Sequence, residues 1–406
     1  MPNADAKRSP YFGAPKILQL TSLNPANHVG EKPSSSVASC EFDCIVSLRM
    51  EPAALRHKMH VDLPSHGSVP GSSERTQRKP ELTDHGSAVR VSVIIPLYNK
   101  GLWIRRAVDS VLQQSFADFE VVVVDDGSTD GGALKLGGCN DERLRIVTQT
   151  NLGPGGARNR GIAEAKGEFL AFLDADDEWL PNYLRESVAL LDEAGDEVAA
   201  VSCGYFEYPS GVSRQDMWRA RGLTKGQFRL TPRTSPIEAA YRLAYMSPCT
   251  TVARAKTLRK YGGFYSWERC VYGEDATLWL KVLLNENVLF HLDPLAVFHR
   301  DASELSANLK GARPLEPFLL HPSEVESATP KSLKGLLANI LAIRALKSAC
   351  VLGYWGNWRE ARSLKRQFAV PGYWKLPYYV PAGLLSTSIG ARVGQLCRIV
   401  MALRSS

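Results

Sequence analysis

Acidic residues at the end of an apolar run are the strongest chemical signal in this sequence. Asp174 and Asp176 directly follow the apolar residues 169–173, and Asp177 and Glu178 come next. Like charges at the mouth of a buried strand are costly unless a cation neutralises them. Hard divalent ions such as Mg²⁺ prefer carboxylate oxygens and often share substrate phosphates. The pattern predicts a metal–diphosphate site. The alternative is that Asp177 and Glu178 only open a helix, which leaves Asp174 unexplained.

A second pair of acids, Asp125 and Asp126, follows the apolar residues 119–124 and precedes Gly127. An Asp-Gly sequence is by itself an ordinary turn that needs no ligand. Next to a diphosphate site, however, a carboxylate here is well placed to accept a hydrogen bond from a nucleotide base. Both interpretations stay open.

Residues 151–161 form a glycine-rich turn that leads into a predicted helix. Small residues let the backbone approach a ligand, and a helix start favours anions. The segment matches neither a P-loop nor the dinucleotide-binding glycine pattern. Arg158 or Arg160 is a candidate phosphate contact, and we favour Arg158. The alternative is a solvated arginine on an exposed helix face.

Glu274 and Asp275 begin a strongly amphipathic segment. They serve either as simple helix caps or, in the case of Asp275, as a general base for an incoming hydroxyl. The helix dipole is expected to lower the pKa of Asp275 and so weaken it as a base. His299 follows another apolar stretch and is either structural or a third metal ligand or phosphate contact.

The elements that must position these residues alternate between strands and helices. Four short apolar runs predict buried strands, and helical spacing follows the first and third of them. The predicted strands are residues 91–96, 119–124, 144–147 and 169–173. This alternation indicates an α/β fold with a parallel sheet covered on both faces. Since ligands of such sheets bind at the carboxyl ends of the strands, the acidic residues above are expected to meet there.

The later sequence is less regular. We predict a strand, a polar loop and a helix, followed by a helix from Glu274 and a helical segment after Lys331. The first three cover residues 197–208, 210–233 and 235–246.

Composition sets broad limits on the class of protein. The chain has 406 residues, of which 44% are hydrophobic and 22% charged, so it has room for a large core. Residues 1–88 are rich in Ser, Pro and basic residues and are predicted to be disordered. The eight cysteines form no close pairs, which favours a reduced, cytoplasmic setting. No segment approaches the roughly 18 uncharged apolar residues that a membrane span needs, so we expect any membrane contact to be peripheral.

The carboxy-terminal region is strongly basic and alternates cations with Trp and Tyr. From Lys331 onward Glu360 is its only acid. The net charge of the whole chain is +7. Such a mixture suits contact with an anionic bilayer at the inner face of the plasma membrane. The alternative is a helical cap with a solvated basic face. No nucleic-acid motif accompanies the charge, and no nucleic-acid partner is expected.

Five ordered segments resemble the family 2 glycosyltransferases. They are VSVIIPLYN at 91–99, VVVVDDGSTD at 121–130, residues 151–161, FLAFLDADDEWL at 169–180 and YGEDATLWLKV at 272–282. The resemblance covers about residues 89–300. It implies a GT-A fold: a Rossmann-like, mostly parallel sheet with helices on both faces. It also implies an inverting enzyme of the bacterial polysaccharide-biosynthesis type that uses a nucleotide-diphosphate sugar.

The resemblance implies a role for each candidate residue. Asp126 would bind the base, and Arg158 would contact the nucleotide or diphosphate. Asp174 and Asp176 would hold Mg²⁺ or Mn²⁺, with Asp174 also in the donor site, and Asp275 would be the catalytic base. The nucleotide pocket would include Pro96, Tyr98 and Asn99.

Three regions follow from this interpretation. They are a disordered extension (1–88), a GT-A domain (89–305) and a basic helical region (306–406). The Gln/Arg-x-x-Arg-Trp element of processive synthases is missing, which predicts a non-processive enzyme. We expect a UDP-linked donor and a sugar or lipid-linked acceptor, in cell-surface polysaccharide or glycolipid synthesis. The alternatives are a sugar-phosphate nucleotidyltransferase and a non-catalytic sugar-nucleotide binding protein.

Overall fold

The computed structural model describes residues 89–302 and 311–405. The extension 1–88, predicted to be disordered, lies outside these residues. So does the predicted domain boundary between residues 305 and 306.

The strands of the described part belong to one mixed sheet. In chain order they are β1 (Val91–Leu97), β2 (Phe119–Asp125), β3 (Leu144–Thr148), β4 (Phe169–Phe172), β5 (Glu178–Trp179), β6 (Val198–Tyr208), β7 (Val212–Ser213), β8 (Gly226–Phe228), β9 (Thr251–Arg254) and β10 (Asn287–His299). The main path runs β3-β2-β1-β4-β9-β6-β10-β5, with β7 paired to β6 and β8 to β10.

The α-helices flank this sheet and continue beyond it. They are α1 (Ile104–Leu112), α2 (Gly153–Glu164), α3 (Tyr183–Ala194), α4 (Gln215–Ala220), α5 (Pro236–Tyr245), α6 (Ala255–Lys260), α7 (Glu274–Asn285), α8 (Pro317–Leu320), α9 (Ser323–Glu326), α10 (Lys334–Tyr354), α11 (Trp358–Gln367), α12 (Tyr379–Leu385) and α13 (Ser388–Ser405).

The predicted strands and helices are confirmed to within two residues at most ends. The polar loop predicted at 210–233 was partly wrong, because it contains β7, α4 and β8. The sequence also did not reveal β9, a four-residue strand that pairs antiparallel with both β4 and β6. Runs this short give too few residues for either strand or helix periodicity to emerge.

Parallel pairing brings the candidate residues to one edge of the sheet. Strand β1 pairs in parallel with β2 and β4, and its register sets Leu97 opposite Asp125 and Ile94 opposite Phe172. Every residue of β2 is buried, as expected for a strand covered on both faces. The acids that follow β2 and β4 therefore lie at the same edge of the sheet as the carboxyl end of β1.

Alternate residues of β1 supply two hydrophobic cores, one on each face. Val93 and Ile95 pack in the core that contains α1 and α3, whereas Ile94 packs in the core that contains α2, α5 and α7. Helix α2 approaches the sheet closely at Gly161, where an added Cβ would lie 2.3 Å from Ile94 Cγ2. The two-sided cover that the sequence predicted is thus confirmed.

Helix α10 belongs to the core that contains α2, α5 and α7. Its buried residues, including Ile340, pack with those of α5 and α7, and Arg344 forms an ion pair with the buried Glu316. Residues Lys331–Tyr354, with mean hydropathy 1.6, are long and apolar enough to cross a bilayer, contrary to the sequence expectation. About 61% of the apolar window is buried inside the protein. This packing matches the helical-cap alternative for α10.

Candidate active site

A buried arginine connects the acids after β4 to the start of α7. Arg158, only 4% exposed, donates from Nη2 to Asp174 Oδ1 at 2.7 Å and from Nη1 to Glu274 Oε1 at 2.7 Å. Burial opposes its charge, but these two carboxylates raise the pKa of Arg158. The solvated-arginine alternative is wrong, because Arg158 is paired inside the protein. Contact with a phosphate stays a prediction.

The acids after Asp174 are crowded and partly neutralised. Burial and the neighbouring Asp174 raise the pKa of Asp176, although Lys100 Nζ lies 3.1 Å from its Oδ2. Burial, followed by Asp174 and Asp176, raises the pKa of Asp177 well above its ordinary value. The raised pKa values show that negative charge is costly in this cluster. A divalent cation, which prefers oxygen ligands, would offset that charge.

The structure also shows which donors lie close together. One ligand atom each from Asp174, Asp177 and Cys249 lies within 4.8 Å of the others. Burial raises the pKa of the Cys249 thiol, which keeps it a neutral, soft donor. Carboxylate oxygens suit Mg²⁺ or Mn²⁺ better than sulfur does, so the acids of this cluster fit the predicted ion. The roles of Asp174 and Asp176 as ligands stay predictions.

His299 lies beside the same acids, but its side chain already has a partner. Its backbone N–H donates to Asp177 Oδ1 at 2.9 Å, and its Nε2 lies 2.9 Å from Glu178 Oε1. The ring also packs on Tyr208, with centroids 4.7 Å apart. These contacts position β10 against the acidic segment. Metal ligation by His299 stays a prediction.

The ends of β1 and β2 are joined by hydrogen bonds. The Asn99 N–H donates to Ser128 Oγ at 3.2 Å, and Thr129 N–H donates to Asn99 Oδ1 at 2.8 Å. Asn99, two residues after the end of β1, adopts a positive φ of 50°. The neighbouring Tyr98 is about half exposed. Hydrogen bonds therefore fix this loop at the edge of the sheet, and the side chain of Tyr98 is partly exposed to solvent.

Asp126 is almost completely buried beside that loop. Its Oδ1 accepts from Gln149 Nε2 at 2.7 Å and from Leu152 N–H at 2.9 Å. These bonds connect the end of β2 to the start of the glycine-rich segment. Base recognition by Asp126 stays a prediction.

The glycines of α2 have a packing function. A Cβ on Gly155 would lie 2.2 Å from the Tyr265 carbonyl oxygen and 3.4 Å from Glu274 Cγ. Only glycine therefore lets α2 come close enough to the start of α7 for Arg158 to bridge the two carboxylates. The sequence pattern predicts close backbone approach to a ligand, whereas at Gly155 the approaching group is the protein itself.

Asp275 occupies the first turn of α7, where it is partly buried. Burial and the adjacent Glu274 raise the pKa of Asp275 to about 7, while Arg158 opposes the rise. The expectation that the helix dipole would lower this pKa was wrong, because desolvation and a like charge outweigh it. A pKa near neutral suits a general base.

Several residues of the site do not stand out in the sequence. Lys100 pairs with Asp176, and its position directly after the first motif is the signal that could have identified it. Glu274 is predicted from sequence only as a cap, yet it anchors Arg158. Cys249 precedes β9 and no motif marks it, so only the fold brings its thiol to Asp177, 3.5 Å away.

Several known proteins are similar to part of this chain. The family described as "Glycosyl transferase family 2" matches residues 92–248. The UDP-Glc:alpha-D-GlcNAc-diphosphoundecaprenol beta-1,3-glucosyltransferase WfgD of Escherichia coli is 38% identical over 202 residues, which cover 49% of this chain and 71% of that protein.

Other curated relatives match over shorter stretches. The succinoglycan biosynthesis protein ExoO of Rhizobium meliloti (strain 1021) is 41% identical over 110 residues, 27% of this chain and 32% of that protein. The uncharacterized glycosyltransferase alr2836 of Nostoc sp. is 45% identical over 103 residues, 25% of this chain and 32% of that protein. The chain spans about a third or less of the length of the first curated relatives it matches.

One solved structure supports the architecture. S. aureus TarS 1-349 in complex with UDP aligns with a TM-score of 0.51 at 20% identity, covering 75% of this chain and 92% of that chain. This likeness, together with the observed sheet, confirms the predicted GT-A fold.

Proposed function

This chain belongs to glycosyltransferase family 2, and we propose that it transfers a single sugar from a nucleotide-diphosphate sugar to an acceptor hydroxyl, with inversion. The observation that carries the proposal is Asp275, a carboxyl with a pKa raised to about 7 by burial and by Glu274. Through Glu274 and Arg158 it is connected to Asp174, at the end of β4. The proposed base is thus the chain neighbour of Glu274, and Arg158 pairs with both Glu274 and Asp174.

The donor is bound at the edge formed by β1, β2 and β4. In this proposal Asp126 accepts a hydrogen bond from the base, and Pro96, Tyr98 and Asn99 line the nucleotide pocket. The partly open loop at Tyr98 and its hydrogen-bonded neighbour Asn99 support this placement. The name of the relative WfgD specifies UDP-Glc, which supports a UDP-linked donor.

Asp174 and Asp176 would hold Mg²⁺ or Mn²⁺ in the proposed complex, with His299 as the predicted third ligand. The crowded carboxylates and the raised pKa values of Asp176 and Asp177 support this assignment. Such an ion offsets charge that develops on the departing diphosphate, an effect worth several kcal/mol in other enzymes. In this proposal Arg158 holds Asp174 through their ion pair and would also contact the nucleotide or diphosphate.

Asp275 performs the proton transfer. Its carboxylate accepts the proton of the acceptor hydroxyl, and the hydroxyl oxygen forms a bond to the anomeric carbon. The bond from that carbon to the diphosphate oxygen breaks, and the diphosphate leaves with the electron pair. A single displacement of this kind inverts the anomeric configuration. Since the base has a pKa near neutral, it is ionised at working pH and still basic enough to act.

The acceptor belongs to cell-surface polysaccharide or glycolipid synthesis. The names of WfgD, with a diphosphoundecaprenol acceptor, and of ExoO, in succinoglycan biosynthesis, support a sugar or lipid-linked acceptor. We place the reaction on the cytoplasmic side of the membrane, where the reduced cysteines also fit. No processive element occurs in the sequence, which supports addition of one sugar or very few.

The test compares Asp275→Asn with the wild-type chain. We expect the variant to bind the nucleotide sugar unchanged by calorimetry with Mn²⁺ and to release nucleoside diphosphate at least about 10²-fold more slowly. Asp216→Asn, at the 96% exposed start of α4, is the matched control and should keep full turnover. Normal turnover by Asp275→Asn would rule out the assigned base. Release of pyrophosphate instead of nucleoside diphosphate would favour nucleotidyl transfer.

A further inference from the structure

The last two helices of the chain expose large apolar side chains to solvent. On α12 these are Val380 and Leu384, and on α13 they are Ile389, Val393 and Leu396, each more than half exposed. Ile389 is 75% exposed and Leu384 65%. In each helix the spacing is three or four residues, so the side chains share one face. We call these five residues the apolar stripe.

Both helices pack on the protein through other faces, and small residues make several of these contacts. Ala382 of α12 and Ala391 of α13 are buried. A Cβ on Gly390 would lie 2.0 Å from the Leu384 carbonyl oxygen, and one on Gly394 would lie 3.2 Å from Tyr354 Cα. Since helical side chains are about 100° apart, Ala391 lies opposite Ile389 and Val393, and Gly394 lies opposite Leu396. The apolar stripe thus faces outward, because other faces of the two helices make the contacts with the protein.

Cations flank the apolar stripe on both helices. Lys365 Nζ lies 4.7 Å from the Tyr379 ring centre and would be 3.3 Å from a Cβ on Gly383, so its charge is beside α12. On α13 the exposed Arg392 is adjacent to Ile389 and Val393 on the helix surface. Glu360 is the only acid in the sequence after Lys331. An apolar face bordered by cations is typical of helices that lie in an anionic membrane interface.

We propose that α12 and α13 dock peripherally on an anionic bilayer. The apolar stripe enters the boundary between headgroups and acyl chains, while Lys365 and Arg392 contact lipid phosphates. The exposed Trp374, with Lys375 Nζ 4.9 Å above its ring, has the amphipathic chemistry found at membrane surfaces. Helix α10 is not the docking element, because it lies in the core. The proposal goes beyond the transfer reaction and does not depend on it.

Charge favours a lipid surface over a second copy of the chain as the occupant. A symmetric dimer would bring the same patch of both copies together. Arg392 and Lys365 would then lie near their own counterparts, with Glu360 as the one acid after Lys331 to compensate. An anionic headgroup layer offers the opposite charge over the whole patch.

Sedimentation with vesicles tests the proposal on the full chain. The vesicles contain phosphatidylcholine alone or with an equal part of phosphatidylglycerol. We expect the wild type to pellet with the anionic vesicles only. The triple variant Leu384→Ser, Ile389→Ser, Val393→Ser should bind about tenfold or more weakly, because three exposed apolar side chains are lost. Arg392→Glu should weaken binding in low salt more than in high salt.

Controls separate this surface from other effects. Leu134→Ser removes an 83% exposed apolar side chain far from α12 in sequence and should pellet as the wild type does. The triple variant should keep wild-type kcat/KM toward a water-soluble acceptor, because none of its positions belongs to the active site. Equal pelleting of the triple variant and wild type, or equal pelleting with neutral vesicles, would overturn the proposal. So would a wild-type dimer, seen by light scattering, that the triple variant converts to a monomer.

Discussion

Replacing Asp275 by Asn is expected to stabilise the folded protein while it slows turnover at least about 10²-fold. Asn keeps the size of the side chain but has no ionisable group. In the native structure burial and Glu274 disfavour the charged form of Asp275. Above neutral pH the wild-type fold therefore holds a carboxylate that would be better solvated in the unfolded chain. The variant avoids this cost.

The magnitude follows from the two pKa values of Asp275. Its pKa rises from an ordinary value of 3.8 to about 7, and each pH unit between them corresponds to about 1.4 kcal/mol. The full penalty is therefore at most about 4 kcal/mol. Because the side chain is partly exposed, solvent screening reduces it, and we expect about 2 kcal/mol.

The effect must depend on pH in one direction. Below about pH 4 Asp275 is protonated in both the folded and unfolded states, so the penalty is absent. As the pH rises toward about 7, the unfolded chain has lost the proton while the folded protein still holds it, and wild-type stability falls. Above that pH both states are ionised and the penalty is constant. The gain of the variant should therefore grow from about pH 4 to 7 and then level off.

Thermal unfolding of chelator-treated protein between about pH 5 and 9 measures this gain. At about pH 8 the variant should melt roughly 4–8 °C higher, since 1 kcal/mol corresponds to about 2–4 °C in a large domain. Asp216→Asn, the exposed control, should change the free energy of unfolding by less than about 0.5 kcal/mol at every pH. A midpoint for Asp275→Asn at or below that of the wild type at this pH would refute the assigned burial of the charge.

Three further outcomes follow from the site. The kcat/KM of the wild type should rise about tenfold per pH unit below about pH 7 and level off above it, because Asp275 acts as a carboxylate; a flat profile would contradict this role. Arg158→Met should lower the free energy of unfolding by about 3–5 kcal/mol in urea at about pH 8, because it leaves the carboxylates of Asp174 and Glu274 without their arginine partner. Part of this loss of stability should be recovered at acidic pH. Gly155→Ala should cost about 1–3 kcal/mol in the same assay, since its Cβ would clash with the Tyr265 carbonyl; no change would show that α2 can move away.

Much of the candidate site was predictable because the relevant signals are local. Continuous apolar runs predict buried strands, and parallel strands necessarily bring their carboxyl ends to the same edge. The sequence alone therefore assigns Asp126, Asp174 and Asn99 to one site. The amphipathic segment after Glu274 also predicts α7 and the position of Asp275 at its start.

The pairing of the charged groups could not be predicted in this way. The sequence assigns Arg158 to phosphate or solvent, whereas the fold buries it between Asp174 and Glu274. The helix dipole alone predicts a lowered pKa for Asp275, and this pKa rises because burial and Glu274 dominate. Likewise, Cys249 reaches Asp177 only because β9 inserts beside β4.

The sequence by itself determined the order of the elements, the family and the set of acids at one edge of the sheet, since these depend on neighbours along the chain. Only the tertiary structure decided which acids are neutralised, which carboxyl has a near-neutral pKa and which face of the last helices stays outward. Desolvation and Coulomb energies depend on distances through space, and packing determines those distances.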